Sequence, residues 1–225
     1  MKYIVLGLGN FGHALAIRLT GLGHEVIGVD NQMKRVEQLK EKITHTICMD
    51  STDRDAMSSL PLKDTDAVIV AIGEDEGASL LTTALLKQLK VKRIIGRVVS
   101  DLQKTVLEAM DIDEYILPEV ESAERLAMRL DNINIVDSFK ISDKYSIVET
   151  VVPEEFVGAT LGEADLTNKY KVLVLTTIQS VTKLENQKEI NFKTVTGIAK
   201  STTLLNRDDV LVLFGEIKDI NKMIN

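Results

Sequence analysis

Residues 3–30 read YIVLGLGNFGHALAIRLTGLGHEVIGVD, and no other stretch limits the fold as strongly. Gly7, Gly9 and Gly12 form G-x-G-x-x-G directly behind an apolar run and directly ahead of a helical pattern. In that setting the first glycine permits a tight turn and the second lets a pyrophosphate approach the backbone. The third allows close packing of helix on strand. Asn10 and Phe11 complete the loop, whose amides, helped by the helix dipole, face phosphates. The next apolar run ends on Asp30, 18 residues beyond Gly12. An acid there accepts hydrogen bonds from ribose hydroxyls and disfavours a 2′-phosphate. Strand, loop, helix, strand and acid in register predict a bound adenine nucleotide. They do not separate ATP, ADP or AMP from NAD or NADH, which share adenine and ribose.

The same alternation continues. Apolar runs at 3–8, 25–30, 45–50, 67–72, 93–98 and 114–118 are separated by helical patterns at 11–22, 32–41, 53–60, 76–89 and 101–110. Such βαβα order predicts a Rossmann-like, doubly wound parallel sheet with helices on both faces. Ligands of such sheets sit beyond the carboxyl ends of the strands. That rule adds Asn31 after the second strand, Asp50 and Ser51 after the third, and Ala71, Ile72 and Gly73 after the fourth. For Asp50 and Ser51 the competing role is to cap the 53–60 helix.

The pattern changes after Pro118. Residues 119–130, EVESAERLAMRL, place Val120, Ala123, Leu126, Ala127 and Leu130 on one helical face. This helix either packs on its own sheet or serves as a dimer contact or connection. DNIN (131–134) has the composition of a linker. Beyond it, IVDSFKI, SIVETVV, KVLVLTTI and VLVLFG are strand-like, with brief helices at 160–166 and 217–224. The expected division is a nucleotide-binding domain over 1–133, including the crossover helix, and a smaller α+β subdomain over 134–225. Residues 182–209 read as a long loop or an extra hairpin.

With 225 residues, the chain is long enough for two such domains. Its net charge of −7 argues against a nucleic-acid partner, which demands a basic face. The single cysteine, Cys48, excludes an intrachain disulfide and fits a reducing compartment. Its place inside an apolar strand predicts a buried packing thiol. No signal peptide is read at the start, and the longest apolar runs are too short to span a bilayer. The expectation is a cytoplasmic protein that reaches a membrane only through a partner.

A dehydrogenase requires an acid–base group beside its nicotinamide. The three histidines, His13, His24 and His45, all lie in the first half and read as surface or packing residues. Carboxylates at 74–76 and 118–121 read as solvated or helix-start charges, although Glu119 and Glu121 could bridge a divalent cation between chains. No catalytic constellation emerges, so the nucleotide is expected to report rather than react.

The glycine stretch, CMDSTD, AVIVAIGEDEGASLLTTALLKQL and DEYILPE together resemble the RCK (regulator of potassium conductance) domain of Trk/Ktr-type potassium uptake systems. YSIVETVVPEEFVGATLGEADLTNKYKVLVL and DDVLVLFG are similar to its smaller C-terminal subdomain, so the resemblance covers nearly the full length. It implies a non-enzymatic cytoplasmic gating subunit. Homodimers would assemble into a ring beneath a membrane-embedded potassium transporter, and adenine nucleotide would change the ring's shape. By position, the three glycines would face the phosphates, Asp30 the ribose, and Asp50 and Ser51 the adenosine. Glu119 would match an acid that binds a divalent cation between subunits in some members. Asn10 stands where some ATP-responsive members carry an arginine on the terminal phosphate. In some members the C-terminal subdomain binds cyclic di-AMP between two chains; TTIQ (176–179) stands where many relatives are more basic, which leaves that ligand open. The rival readings are an NAD-dependent oxidoreductase with a small second domain, or an RCK-like regulator of another cation transporter.

Overall fold

Side chains along a strand point alternately to opposite faces, so an apolar run without interruption has two cores to fill. The first-half strands are β1 (Lys2–Leu6), β2 (Glu25–Asp30), β3 (His45–Cys48), β4 (Ala67–Val70), β5 (Ile94–Arg97) and β6 (Tyr115–Ile116). Of these, only the inner β1, β2 and β4 carry such a run in full. Ile4, Leu6, Ile27, Val29, Val68 and Val70 enter one core. Val5, Val26, Ile69 and the following Ala71 enter the other. The computed structural model describes residues 1–112, 114–185 and 188–225, with the side chains of 181–185 and 188–191 outside that description.

All pairings in this sheet are parallel, in the order β3-β2-β1-β4-β5-β6. Helices α1 (Asn10–Gly21) and α2 (Met33–Leu39) cover the Val5 face through Ala16, Val36 and Leu39. Helices α3 (Arg54–Ser58), α4 (Glu76–Gln88) and α5 (Asp101–Ala109) cover the Ile4 face through Met57, Leu85, Leu86 and Leu107. Each such side chain taken from water contributes about 1.5–3 kcal/mol. The direction of winding reverses between β1 and β4, which opens a crevice beyond their carboxyl ends.

Two local expectations are corrected. Cys48 is exposed, not buried, because β3 is the outermost strand of the sheet. Its thiol lies 3.6 Å from the Asn31 carbonyl oxygen. Helix α3 is capped by Asp53, whose carboxylate accepts from the Asp55 and Ala56 amides at 2.8 and 3.0 Å. Neither Asp50 nor Ser51 is the cap, because the helix begins only at Arg54. Among the histidines, His24 packs edge-on against Tyr3 with ring centroids 5.4 Å apart.

The chain divides into two compact units, Met1–Glu119 and Val120–Asn225. Helix α6 (Pro118–Asp131) therefore falls almost entirely in the second, although from sequence it is grouped with the first. None of its residues is buried, and Val120, Leu126 and Leu130 are exposed. Met128 packs on the second unit's core.

That core is formed on a five-stranded sheet. It contains β7 (Ile135–Lys140), β8 (Tyr145–Val151), β9 (Leu173–Glu185), β10 (Lys188–Val195) and β11 (Val210–Glu216). The order is β10-β9-β11-β8-β7, and every neighbour is antiparallel. Helices α7 (Leu161–Ala164), α8 (Leu166–Tyr170) and α9 (Ile217–Ile224) supply Ala164, Leu166, Ile220, Met223 and Ile224 to its core. The loop-or-hairpin expectation over 182–209 falls partly on residues 186–187, outside the described residues. On either side of them β9 and β10 pair in register. Among the described residues no helix is long and apolar enough to cross a membrane.

Candidate functional site

The crevice at the β1–β4 reversal is a cavity of about 430 Å³. The three loop glycines serve it differently. Gly7 has φ +94°, a left-handed value that favours glycine, and a Cβ there would press on Ile72 at 3.0 Å. Gly12 does not line the cavity; a Cβ on it would run into the Gly7 carbonyl, so its role is packing. Gly9 lines the cavity and caps α1 with φ −63°, with nothing within 4 Å of where a Cβ would stand. No side chain caps α1 and no acid occupies its first turn, so its leading amides and positive dipole end suit an anion.

Gly9→Ala isolates that function. Alanine fits the dihedral, and as a cap it costs about 1 kcal/mol, so the melting midpoint without nucleotide falls by roughly 2–4 °C. The methyl would project into the open space at Gly9, so with phosphates seated there the midpoint shift on adding nucleotide should fall by at least about half. Differential scanning fluorimetry reads both, and an undiminished shift would place the phosphates elsewhere.

Asp30, at the end of β2, is only 5% exposed. Its Oδ2 accepts from the Leu8 amide at 2.7 Å and its Oδ1 from the Gln32 amide at 2.8 Å. The carboxylate thus ties the glycine loop to the β2 terminus. A carboxylate offers about four acceptor sites, so these two amides do not exhaust it. Arg35, in the first turn of α2, reaches 3.6 Å from Asp30 Oδ2. Its Nη2 donates to both oxygens of Glu74, at 2.7 and 2.8 Å, on the loop after β4. The hydrogen bond to Glu74 raises the Arg35 pKa against the lowering effect of burial, and the Asp30 charge adds to the rise. The bond from Arg35, and then its charge, hold Glu74 below the usual carboxylate range.

Asn10, Asn31, Asp50, Ser51, Ala71, Ile72 and Gly73 line the same cavity. Asp50 accepts from the Thr52 amide and hydroxyl at 2.8 and 2.7 Å, which lowers its pKa. The Ser51 hydroxyl lies 2.9 Å from that of Thr82 on α4. Phe11 stands outside the lining, in the Val5-face core, with the Arg97 guanidinium carbon 5.7 Å from its ring centroid. Arg97, at the end of β5, does line the cavity and lies against Gly73, where a Cβ would strike its guanidinium. One Nη bonds Glu119, while Nε is buried with no hydrogen-bond partner. Burial pushes the Glu119 carboxyl up, but the Arg97 bond, a backbone bond and the Arg97 charge together leave it lowered. Among the described residues no three His, Cys, Asp or Glu side chains gather to hold a metal ion.

Sequence reasoning missed Arg35, Glu74 and Arg97 as cavity residues. Arg35 had a usable signal, since it stands in the first turn of the helix that follows Asp30. Arg97 had only its place at a strand's carboxyl end.

A family model described as the TrkA-N domain matches residues 3–118. The chain is 31% identical over 221 residues to Ktr system potassium uptake protein C of Bacillus subtilis (strain 168), covering 98% of this chain and 95% of that protein. Among solved structures, the GsuK RCK domain aligns with TM-score 0.63 at 15% identity, covering 99% of this chain and 46% of that one. The GsuK channel bound to NAD aligns with TM-score 0.62 at 15% identity, over 99% of this chain and 38% of that one. The chain therefore spans nearly all of the curated relative but less than half of either solved chain.

Proposed function

The chain belongs to the TrkA-N family, and from that premise we propose that it is the nucleotide-sensing regulatory subunit of a potassium uptake system. The observation that carries the reading is the cavity at the β1–β4 reversal, where the open Gly9 backbone and the α1 amides face the Asp30 carboxylate. A phosphate chain fits the first and an adenosine ribose the second. Asp50, Ser51 and Asn31 would contact the ribose and adenine, and Ala71, Ile72 and Gly73 line the same cavity. NAD is bound by the GsuK channel, which shares the fold. ATP, ADP, NAD and NADH all present the groups this cavity would hold.

Regulation by such a ligand needs no bond-making; it needs tighter binding to one conformation of the assembly than to another. The proposed assembly is a homodimer built up into a ring at the cytoplasmic face of a membrane-embedded potassium transporter subunit. The exposed apolar face of α6 supports a chain–chain contact. So does the groove of about 1080 Å³ beside it, lined by Met128, Phe139 and Ile141. A divalent cation at Glu119 would have to displace Arg97 and take its remaining ligands from a second chain.

Thermal-shift titration with ATP, ADP, NAD, NADH and cyclic di-AMP, paired with light scattering, tests this. An adenine nucleotide at a hundred times its Kd should stabilise an oligomer by about 2.7 kcal/mol. A stable monomer that turns over NADH on carbonyl substrates would overturn the reading in favour of an oxidoreductase.

A further inference from the structure

Asp30, Arg35 and Glu74 form a row on the ribose side of the cavity, with one guanidinium between two carboxylates. We propose that Glu74 is a specificity-determining residue: by holding Arg35, it keeps the ribose end of the cavity closed to 2′-phosphorylated nucleotides. The inference rests on the nucleotide reading above and deepens it.

Sites of this fold that accept a 2′-phosphate use an arginine near the position of the ribose acid. This chain has such an arginine, but both of its ends are engaged. Nη2 is chelated by the Glu74 carboxylate at 2.7 and 2.8 Å, and Nη1 faces Asp30 at 3.6 Å. The row carries one net negative charge, from two carboxylates and one guanidinium. A phosphate of charge about −1.5 to −2 is repelled by it and finds no guanidinium fork to receive it. A 2′-hydroxyl meets no such penalty, because it can donate to Asp30. Both partners of the clasp stay ionised through the ordinary pH range, since the pair raises the pKa of Arg35 and lowers that of Glu74.

Glu74 is the exchangeable member. Its side chain is 73% exposed, whereas that of Asp30 is 3% exposed and anchors the glycine loop. Glu74→Gln brings the row to zero net charge and releases Arg35 toward the 2′ position. An exposed ion pair is weak, so the gain is modest, about three- to fivefold, and it shrinks as salt rises.

The test is isothermal titration of the full chain at low salt with two ligand pairs that differ only in the 2′-phosphate. These are AMP against adenosine 2′,5′-bisphosphate, and NAD against NADP. Wild type should prefer the unphosphorylated member by about tenfold or more. Glu74→Gln should narrow that ratio about three- to fivefold with AMP affinity changed less than about twofold. The double variant with Arg35→Ala should lose the gain. An unmoved ratio in Glu74→Gln, or equal strengthening of both members, overturns the role of Glu74 while leaving the nucleotide site intact. Wild type that binds neither AMP nor NAD overturns the site itself.

Discussion

Asp30→Ala should lower the melting midpoint without nucleotide by roughly 6–12 °C and remove most of the shift that nucleotide produces. Two losses combine. The Leu8 and Gln32 amides lose a charged acceptor, and hydrogen bonds to charged groups are worth about 1.5–3 kcal/mol each. Leu8 is itself buried, so its amide has no easy route to water. Arg35 also loses its second carboxylate. The ribose then meets a methyl group in place of an acceptor. Asp30→Asn separates the two roles only in part, because its amide nitrogen must face one of the two backbone donors. Fluorimetric melting with and without ADP or NAD reads both effects. An unaltered midpoint would deny the carboxylate its anchoring role, and an unaltered nucleotide shift would refute the ribose assignment.

Gly12→Ala is expected to be at least as damaging, for a different reason. Helix α1 passes the turn after β1 so closely that a Cβ on Gly12 would overlap the Gly7 carbonyl oxygen. The opposing atom is backbone, so no side chain can swing aside; α1 must lift from the sheet and carry the glycine loop with it. Overpacking of this kind costs about 3 kcal/mol or more, a midpoint fall of at least roughly 6–12 °C with the nucleotide shift lost as well. Gly21→Ala is the control on the same helix. Nothing lies within 4 Å of its added Cβ, and alanine favours the helix by up to about 1 kcal/mol. Its midpoint should hold or rise. A Gly12→Ala protein that melts like wild type would show that α1 and the turn after β1 are not in the close contact described.

The doubly wound half was legible in the sequence because its signals are local and repeated. Strand β2 spans Glu25–Asp30 and helix α9 spans Ile217–Ile224, the ranges expected. Where position in the sheet decides, local reading failed. Cys48 sits in an apolar run, yet β3 has no neighbour beyond it, and burial depends on that neighbour. Side-chain partnerships across the fold were equally hidden. Arg35 and Glu74 are 39 residues apart, and the β1–β4 reversal brings α2 and the loop after β4 together. Of the glycine motif, the spacing assigned close packing to Gly12 and an open backbone to Gly9, and the structure puts Gly12 against the Gly7 carbonyl and Gly9 on the cavity. In the second unit four strands were legible, while β10 lies in a stretch that reads equally as loop or hairpin. The strand order was not legible, because antiparallel strands of similar composition carry little information about who pairs with whom.

The anchoring of the glycine loop bears on the heat and speed of recognition. Its shape is held by internal bonds from Asp30 to Leu8 and Gln32, formed when the chain folds. A ligand arriving there has little backbone disorder to quench, so the entropic penalty of binding is small and the heat-capacity change stays close to that of the buried ligand surface. Association should then proceed in a single fast phase rather than waiting on loop closure. Whatever slower step transmits occupancy onward belongs to the movement of folded pieces, and it should appear in stopped-flow traces as a second phase whose rate levels off at high nucleotide concentration.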